Sequence, residues 1–198
     1  MFSSVYLAGE DEVTLALGRK VVGLSPPLHV YREDNTRGFG RLRTKVRSFQ
    51  QMVSHGLPVF LLTDLDRAAC PSALIDDWLG CVPNRGFLFR VCVRAGEAWM
   101  LADRQSIAEF LKVRVTAIPS DPEKLRDPKR ELIQIAQRSP RAIRDGLTPV
   151  GSATIGPEHN SLLSRYARDH WSPSEAAKCA PSLARCVQRV RLLADMCR

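Results

Sequence analysis

No run in this 198-residue sequence approaches the roughly 20 consecutive apolar residues that a membrane span requires, so no membrane partner is expected. The opening stretch MFSSVYLAGEDE carries acids where a secretory signal would carry a basic region and a longer apolar core, and the chain reads as cytoplasmic. There is no CxxC pair and no Cys/His spacing of a structural zinc site. The cysteines at 70, 81, 92, 179, 186 and 197 are therefore expected to be reduced thiols, with Cys92, inside FLFRVCV, packing as a small hydrophobe. Aromatic residues make up only 7% and do not interleave with the basic ones, which disfavours a single-strand binder built on base stacking. The Gly-x-Ser-x-Gly elbow of many hydrolases is missing, and His29, His55, His159 and His170 fall at no metal or triad spacing. The stretch Gly151-Ser152-Ala153-Thr154-Ile155-Gly156 lacks the Lys-Ser/Thr of a phosphate loop and reads as a surface loop.

What is present is the composition of a globular chain, 44% hydrophobic and 25% charged. The length suits one domain with a small appendage. The net charge of +8 is unevenly spread: residues 31–60 carry +4 and residues 151–198 carry +3, while residues 61–120 balance seven acids against seven bases. A neutral, acid-bearing middle between basic segments suits carboxylates that hold metal ions while arginines attract a polyanion, although a basic balance also simply favours solubility.

The run from Ser3 to Ala8 is a β-prone segment that ends in Gly9 and an acidic turn. From Glu12, Val13, Ala16, Leu17, Val21 and Leu24 recur at helical spacing, with acids in the first turn and Arg19 and Lys20 in the last, as the helix dipole prefers. Pro26-Pro27 ends this helix, Leu28–Tyr31 reads as a second strand, and Gly38-Phe39-Gly40 as a mobile connection. A helix is expected from about Arg41 to His55 on the stripe Leu42, Val46, Phe49 and Val53. Val59–Thr63 is continuously apolar, the mark of a strand covered on both faces, and it stops at Asp64-Leu65-Asp66. A short helix over Pro71–Leu79, a fourth strand over Gly86–Val93 and a helix over Glu97–Leu111 follow. Beyond residue 115 only helical stretches are expected, near 129–138, 159–170 and 182–196. Ser172-Pro173-Ser174-Glu175 is a capping box with proline at the first helical position. The pattern predicts an α/β fold, a mostly parallel sheet flanked by helices over 1–115, with a helical C-terminal extension over 116–198.

Ligands of open α/β sheets bind beyond the carboxyl ends of the strands. Two of these ends carry acids: Glu10, Asp11 and Glu12 after the first strand, Asp64 and Asp66 after the third. Hard divalent cations are held by one or two carboxylates plus substrate phosphate, so this set suits Mg2+ or Mn2+. The same two aspartates can equally end a strand and cap the next helix. Glu97 could join the cluster or serve as a helix N-terminal acid. Arg37, Arg41, Arg43, Lys45 and Arg47 could contact phosphates without reading sequence, or form a solvated helix face. Lys129, Arg130, Arg138, Arg141 and Arg144 make a second basic zone with the same two readings.

The order of an acidic glycine turn, a basic helix and an apolar strand ending in Asp64-Leu65-Asp66 resembles the toprim domain, which is shared by topoisomerases, bacterial primases, a ribosomal-RNA maturase and the overcoming-lysogenization-defect nucleases. Small standalone bacterial and phage toprim proteins are the most similar. Their Glu-x-Trp stretch after the fourth strand resembles Glu97-Ala98-Trp99-Met100-Leu101-Ala102-Asp103, and a later segment resembles Asp127–Leu132. The resemblance spans about residues 3–135. It places the family's Asp-x-Asp on Asp64 and Asp66 and its second turn glutamate on Glu12, while the leading glutamate is replaced by Ala8. That departure leaves Glu10 or Glu12 to substitute, or weakens catalysis.

The resemblance implies a metal-dependent nuclease of a bacterial or phage defence or nucleic-acid-processing system, working with an ATPase partner. In it Glu12, Asp64, Asp66 and Glu10 are catalytic, and Glu12, Asp64, Asp66 and Glu97 hold Mg2+ or Mn2+. A homodimer is compatible with it. Its length is expected to leave no room for a topoisomerase or a full primase. The alternatives are a catalytically weak toprim-fold module that binds nucleic acid or a protein, favoured by Ala8, and a receiver-like or nucleotide-binding α/β protein.

Overall fold

A computed structural model describes residues 4–80 and 84–196; Cys81 and Cys197 lie outside the described residues. Four strands, β1 (Ser4–Gly9), β2 (His29–Asn35), β3 (Val59–Asp64) and β4 (Phe87–Cys92), form one all-parallel sheet in the order β2-β1-β3-β4. The fold is α/β, with helices on both faces and a helical C-terminal part.

The period-2 alternation of strands divides the side chains between two cores. Val5, Leu7, Phe60, Leu62 and Cys92 face α1 (Glu12–Val22) and the later helices. Ala8, Val59, Leu61, Phe87 and Phe89 face α2 (Phe39–Thr44), α3 (Val46–Ser54) and α4 (Pro71–Leu79). Gly18 lets α1 lie against β1, because a Cβ there would sit 2.7 Å from Leu7 Cδ1. The apolar run of β3 is explained by this double cover: Val59 to Leu62 are all inaccessible to solvent.

The helix expected over 41–55 begins earlier, at Phe39, and is broken at Lys45 into α2 and α3. Gly38, at φ 126°, takes a backbone conformation that other residues resist, and the segment expected to be a mobile connection is the start of α2. The helix expected over 97–111 is divided at Asp103 into α5 (Gly96–Ala102) and α6 (Arg104–Leu111). Asp103 is buried, and its carboxylate accepts from Ser172 N at 2.8 Å, a tertiary bond that overrides the local helical pattern.

Two short 3-10 turns, Val115–Ala117 and Pro122–Lys124, lead to α7 (Pro128–Ala136), α8 (Arg141–Leu147), α9 (His159–Asp169), α10 (Pro173–Ala176) and α11 (Pro181–Met196). No strand occurs after β4 among the described residues. These helices share the core of the sheet, since α9 and α11 pack on α1, and α11 also packs on β4. Two buried tryptophans fasten them: Trp99 Nε1 donates to Ser182 Oγ at 2.7 Å, and Trp171 Nε1 to the Trp99 carbonyl at 3.0 Å. Ser172 Oγ accepts from Glu175 N, as the capping box predicts. No helix among the described residues is long and apolar enough to cross a membrane.

Candidate functional site

The chain passes from β1 to β2 on one side of the sheet and from β2 back to β3 on the other, so the strand order reverses between β1 and β3. The carboxyl ends of these two strands adjoin, with Gly9 opposite Leu62. This is the crevice where open α/β sheets bind ligands. Glu10 leaves β1 there and reaches across to β3: its Oε1 accepts from the Thr63 hydroxyl and, at 3.0 Å, from Asp64 N. Asp64, the last residue of β3, accepts at Oδ1 from Gly96 N at 2.9 Å, which ties it to the first turn of α5.

Four charges bear on Asp64. Burial first, then the neighbouring charges of Glu97, Glu10 and Asp66, push its pKa well above the usual carboxylate range, against the opposing pull of Lys129. Burial likewise raises Glu10, although its bonds from Thr63 and Asp64 oppose that. Glu97 is buried, and its burial would also raise its pKa. The hydrogen bond from His159 Nε2 to its Oε1 at 3.0 Å and the Lys129 ammonium 3.8 Å away prevail and hold it below the ordinary glutamate value. Lys129 has a raised pKa for the reciprocal reason, with Glu97 foremost and Asp64, Asp11 and Asp66 behind it. Asp64, Glu10, Asp66 and Glu97 therefore make one electrostatic unit, facing one ammonium.

Beside this unit opens a cavity of about 660 Å³ whose walls carry Arg67, Arg94, Arg126, Lys129 and Arg130 against only Asp66 and Asp127. Asp66 and Arg94 face each other at the ends of β3 and β4, both in the left-handed region (φ 48° and 66°), with Asp66 N donating to the Arg94 carbonyl at 2.9 Å. Arg37, at φ 56° just beyond β2, completes a set of left-handed non-glycine residues at the strand ends. Such conformations persist only where the surroundings enforce them, and they gather at functional sites. The Gly38 amide donates to the Glu10 carbonyl at 2.8 Å, which brings the Arg37 loop against the acidic turn.

The residues expected from the sequence divide accordingly. Glu10, Asp66 and Glu97 each lie near enough to Asp64 for their charges to raise its pKa. Glu12 is not among them: it lies on the exposed side of α1 and pairs with Arg19 at 2.6 Å, and Arg19 in turn pairs with Glu33. Glu12 is the first residue of α1 and stands outside the buried face of Val13, Ala16 and Leu17; two turns on, Arg19 lies on the same outer face. Ala8 is fully buried in the core of the α2–α4 face. Arg37, Arg41, Arg43, Lys45 and Arg47 are all exposed, with Arg43 paired to Asp77 at 3.0 Å and Lys45 to Asp34 at 2.8 Å. Arg67, Arg94 and Arg126 escaped the sequence reading because no run or period marks them; each is a single arginine following a strand or opening a loop.

Mg2+ and Mn2+ take oxygen donors, and the chemistry of this set suits them. As they stand, however, no three His, Cys, Asp or Glu side chains among the described residues are gathered so as to hold a metal ion. Glu10 Oε1, Asp64 Oδ1 and Glu97 Oε1 already accept hydrogen bonds from the protein. The arrangement fits a cation held by one or two carboxylates and completed by a phosphate, not a closed protein cage. Comparison with protein families, with characterised proteins and with solved structures finds no match to this chain.

Proposed function

We propose that the protein acts on the phosphodiester backbone of a nucleic acid, as a nuclease that uses Mg2+ or Mn2+ at the ends of β1 and β3. The observation that carries this reading is the meeting, at the strand-order reversal, of Asp64, pressed by the charges of Glu97, Glu10 and Asp66, with a cavity walled by five cationic side chains. Carboxylates that repel one another are relieved by a divalent cation, and a cavity so rich in arginine selects a polyanion. Asp64 and Glu10 would hold the cation, with Asp66 at the cavity edge. Bound there, a divalent ion would polarise the scissile phosphate and supply an activated water. Arg67, Arg94, Arg126 and Arg130 would hold the backbone phosphates, and Lys129 would lie between the phosphate and Glu97. The arginines of α2 and α3 would extend this track outward from Arg37. The toprim resemblance adds an ATPase partner to the proposal.

A second reading has its own support. Glu10 is tied to β3 and the one ammonium of the site already faces Glu97, so the cleft is also suited to binding a nucleic acid without cutting it. Cleavage of supercoiled plasmid and of labelled RNA, with Mg2+, with Mn2+ and with chelator, separates the two. Metal-dependent cutting that Asp64→Ala lacks, while the variant stays folded, supports the nuclease. Binding that survives chelator and Asp64→Ala without any cutting supports the binding module. An Asp64→Ala variant that fails to fold makes the aspartate a structural cap and refutes the metal site.

A further inference from the structure

The two edges of the sheet are unlike. β2 is exposed along most of its length, and Arg32, Glu33 and Asp34 guard it with charges, two of them ion-paired to Arg19 and Lys45. Charged edge residues are a usual defence against strand addition. β4 has no such defence: its sequence, Phe-Leu-Phe-Arg-Val-Cys, holds one charge and no proline.

Along the first half of β4, α4 lies on one face of the sheet and α11 on the other, and between them runs a groove of about 540 Å³. Its apolar floor includes Phe87, Phe89 and Leu192, and Leu192 and Met196 are 47% and 55% exposed. Its charged walls are positive. Among the described residues Arg85, Arg90 and Arg189 line it beside Asn84, no carboxylate does, and none of the three forms an ion pair. Arg90 is half-buried and its Nε is enclosed without a hydrogen-bond partner among the described residues, which is unfavourable unless an acceptor arrives.

From this geometry we infer that the β4 edge is a docking groove for an extended segment of a partner protein, one that carries apolar side chains alternating with aspartate or glutamate. A strand laid beside β4 would bond to its outer edge, seat one row of side chains by Phe87 and Phe89 on the α4 face, and turn the alternate row, carboxylates, over Leu192 toward Arg90 and Arg189 on the α11 face. A second copy of this chain docking by the same patch would set these arginines against themselves, so the occupant is acidic and different. The apolar floor favours a peptide over a nucleic acid. The groove lies at the amino end of β4, away from Asp64, which is registered with Cys92 at the other end, so it is independent of the proposed nuclease site.

The test uses the full chain and fluorescence anisotropy of a labelled synthetic peptide of alternating valine and glutamate. Saturable binding is expected, weakened at least about tenfold when lysine replaces glutamate and about tenfold again in the Arg90→Gln/Arg189→Gln protein. Leu192→Ser, at an exposed position that leaves folding intact, should also weaken it severalfold, while Asp64→Asn should bind like the wild type. Equal binding of the lysine peptide, absence of binding, or displacement of the peptide by an oligothymidylate would each overturn the inference. Loss of peptide binding together with intact metal-dependent cleavage would refute the groove alone.

Discussion

Glu97 is the buried charge whose removal the structure makes most expensive. Its side chain is 5% exposed, His159 Nε2 donates to Oε1 at 3.0 Å, and Lys129 Nζ stands 3.8 Å away. His159 is itself buried, and its other ring nitrogen has no partner among the described residues, so Glu97→Ala leaves both ring nitrogens without one. Removing one member of a buried pair costs about 3–5 kcal/mol. Lys129 is 43% exposed, and its share of that figure is small because water screens it. At about 2–4 °C per kcal/mol for a domain of this size, the variant should melt roughly 6–20 °C below the wild type at neutral pH. Glu97→Gln keeps the volume and an acceptor for His159 while relieving the repulsion on Asp64, so its loss should be well under half as large. The folded pKa of Glu97 is depressed, so its ionised form stabilises the fold above the unfolded glutamate value, and this contribution fades as pH falls through the folded one. The gap between wild type and Glu97→Ala, read by circular dichroism melts from neutral pH downward, should therefore narrow in acid. A Glu97→Ala protein that melts within about 2 °C of the wild type at neutral pH would refute the buried network.

The opposite sign is expected at Asp64, whose folded pKa is raised. Its charge opposes folding above that value and has no effect below the unfolded aspartate value, so Asp64→Asn, which keeps the bond from Gly96, should gain about 0.5–2 kcal/mol at pH 8 and nothing near pH 3 in urea titrations. Gly18→Ala should lose about 1–3 kcal/mol by forcing a methyl to 2.7 Å from Leu7 Cδ1 in a filled core, measured by the same titration. Ser182→Ala should lose about 1–3 kcal/mol, because it leaves the buried Trp99 Nε1 without its acceptor and Glu123 without a hydroxyl donor; an unchanged melt would sever the link between α5 and α11. Arg94→Gln and Arg126→Gln should each lower the salt dependence of nucleic-acid binding by about one counterion, with a smaller change for Arg43→Gln, whose guanidinium is already paired with Asp77.

The elements that the sequence made plain are those whose signal is local. The β3 run is apolar because both faces are covered, and the period of α1 is set by one core. What stayed hidden depends on pairs far apart in the chain: Glu97 with His159 across 62 positions, Trp99 with Ser182 across 83. No periodicity marks Asp103 as the point where a helix must bend, since its role comes from Ser172. Lys129 and Arg130 were visible as a basic zone, but their placement opposite the strand ends follows from the packing of α5 on α7. Arg67 and Arg94 become wall residues only because two strands end side by side.

The acidic turn shows how a shift of two positions alters a site. At position 8, within β1, the side chain points into the core with Leu42, Phe49 and Leu61, where a carboxylate would be buried without a partner. Alanine is what that packing accepts. Glu10 stands past the strand end, free of the pleat, and can cross to β3, where Thr63 and the Asp64 amide take one of its oxygens. In the proposed nuclease, Glu10, braced against the end of β3, would stand in for the carboxylate that position 8 does not carry. Bracing engages one Glu10 oxygen at the end of β3, and both acids have raised pKa values there. A cation that enters must win the remaining oxygens against protons, so metal occupancy in this site should rise with pH, and with the phosphate that completes its coordination.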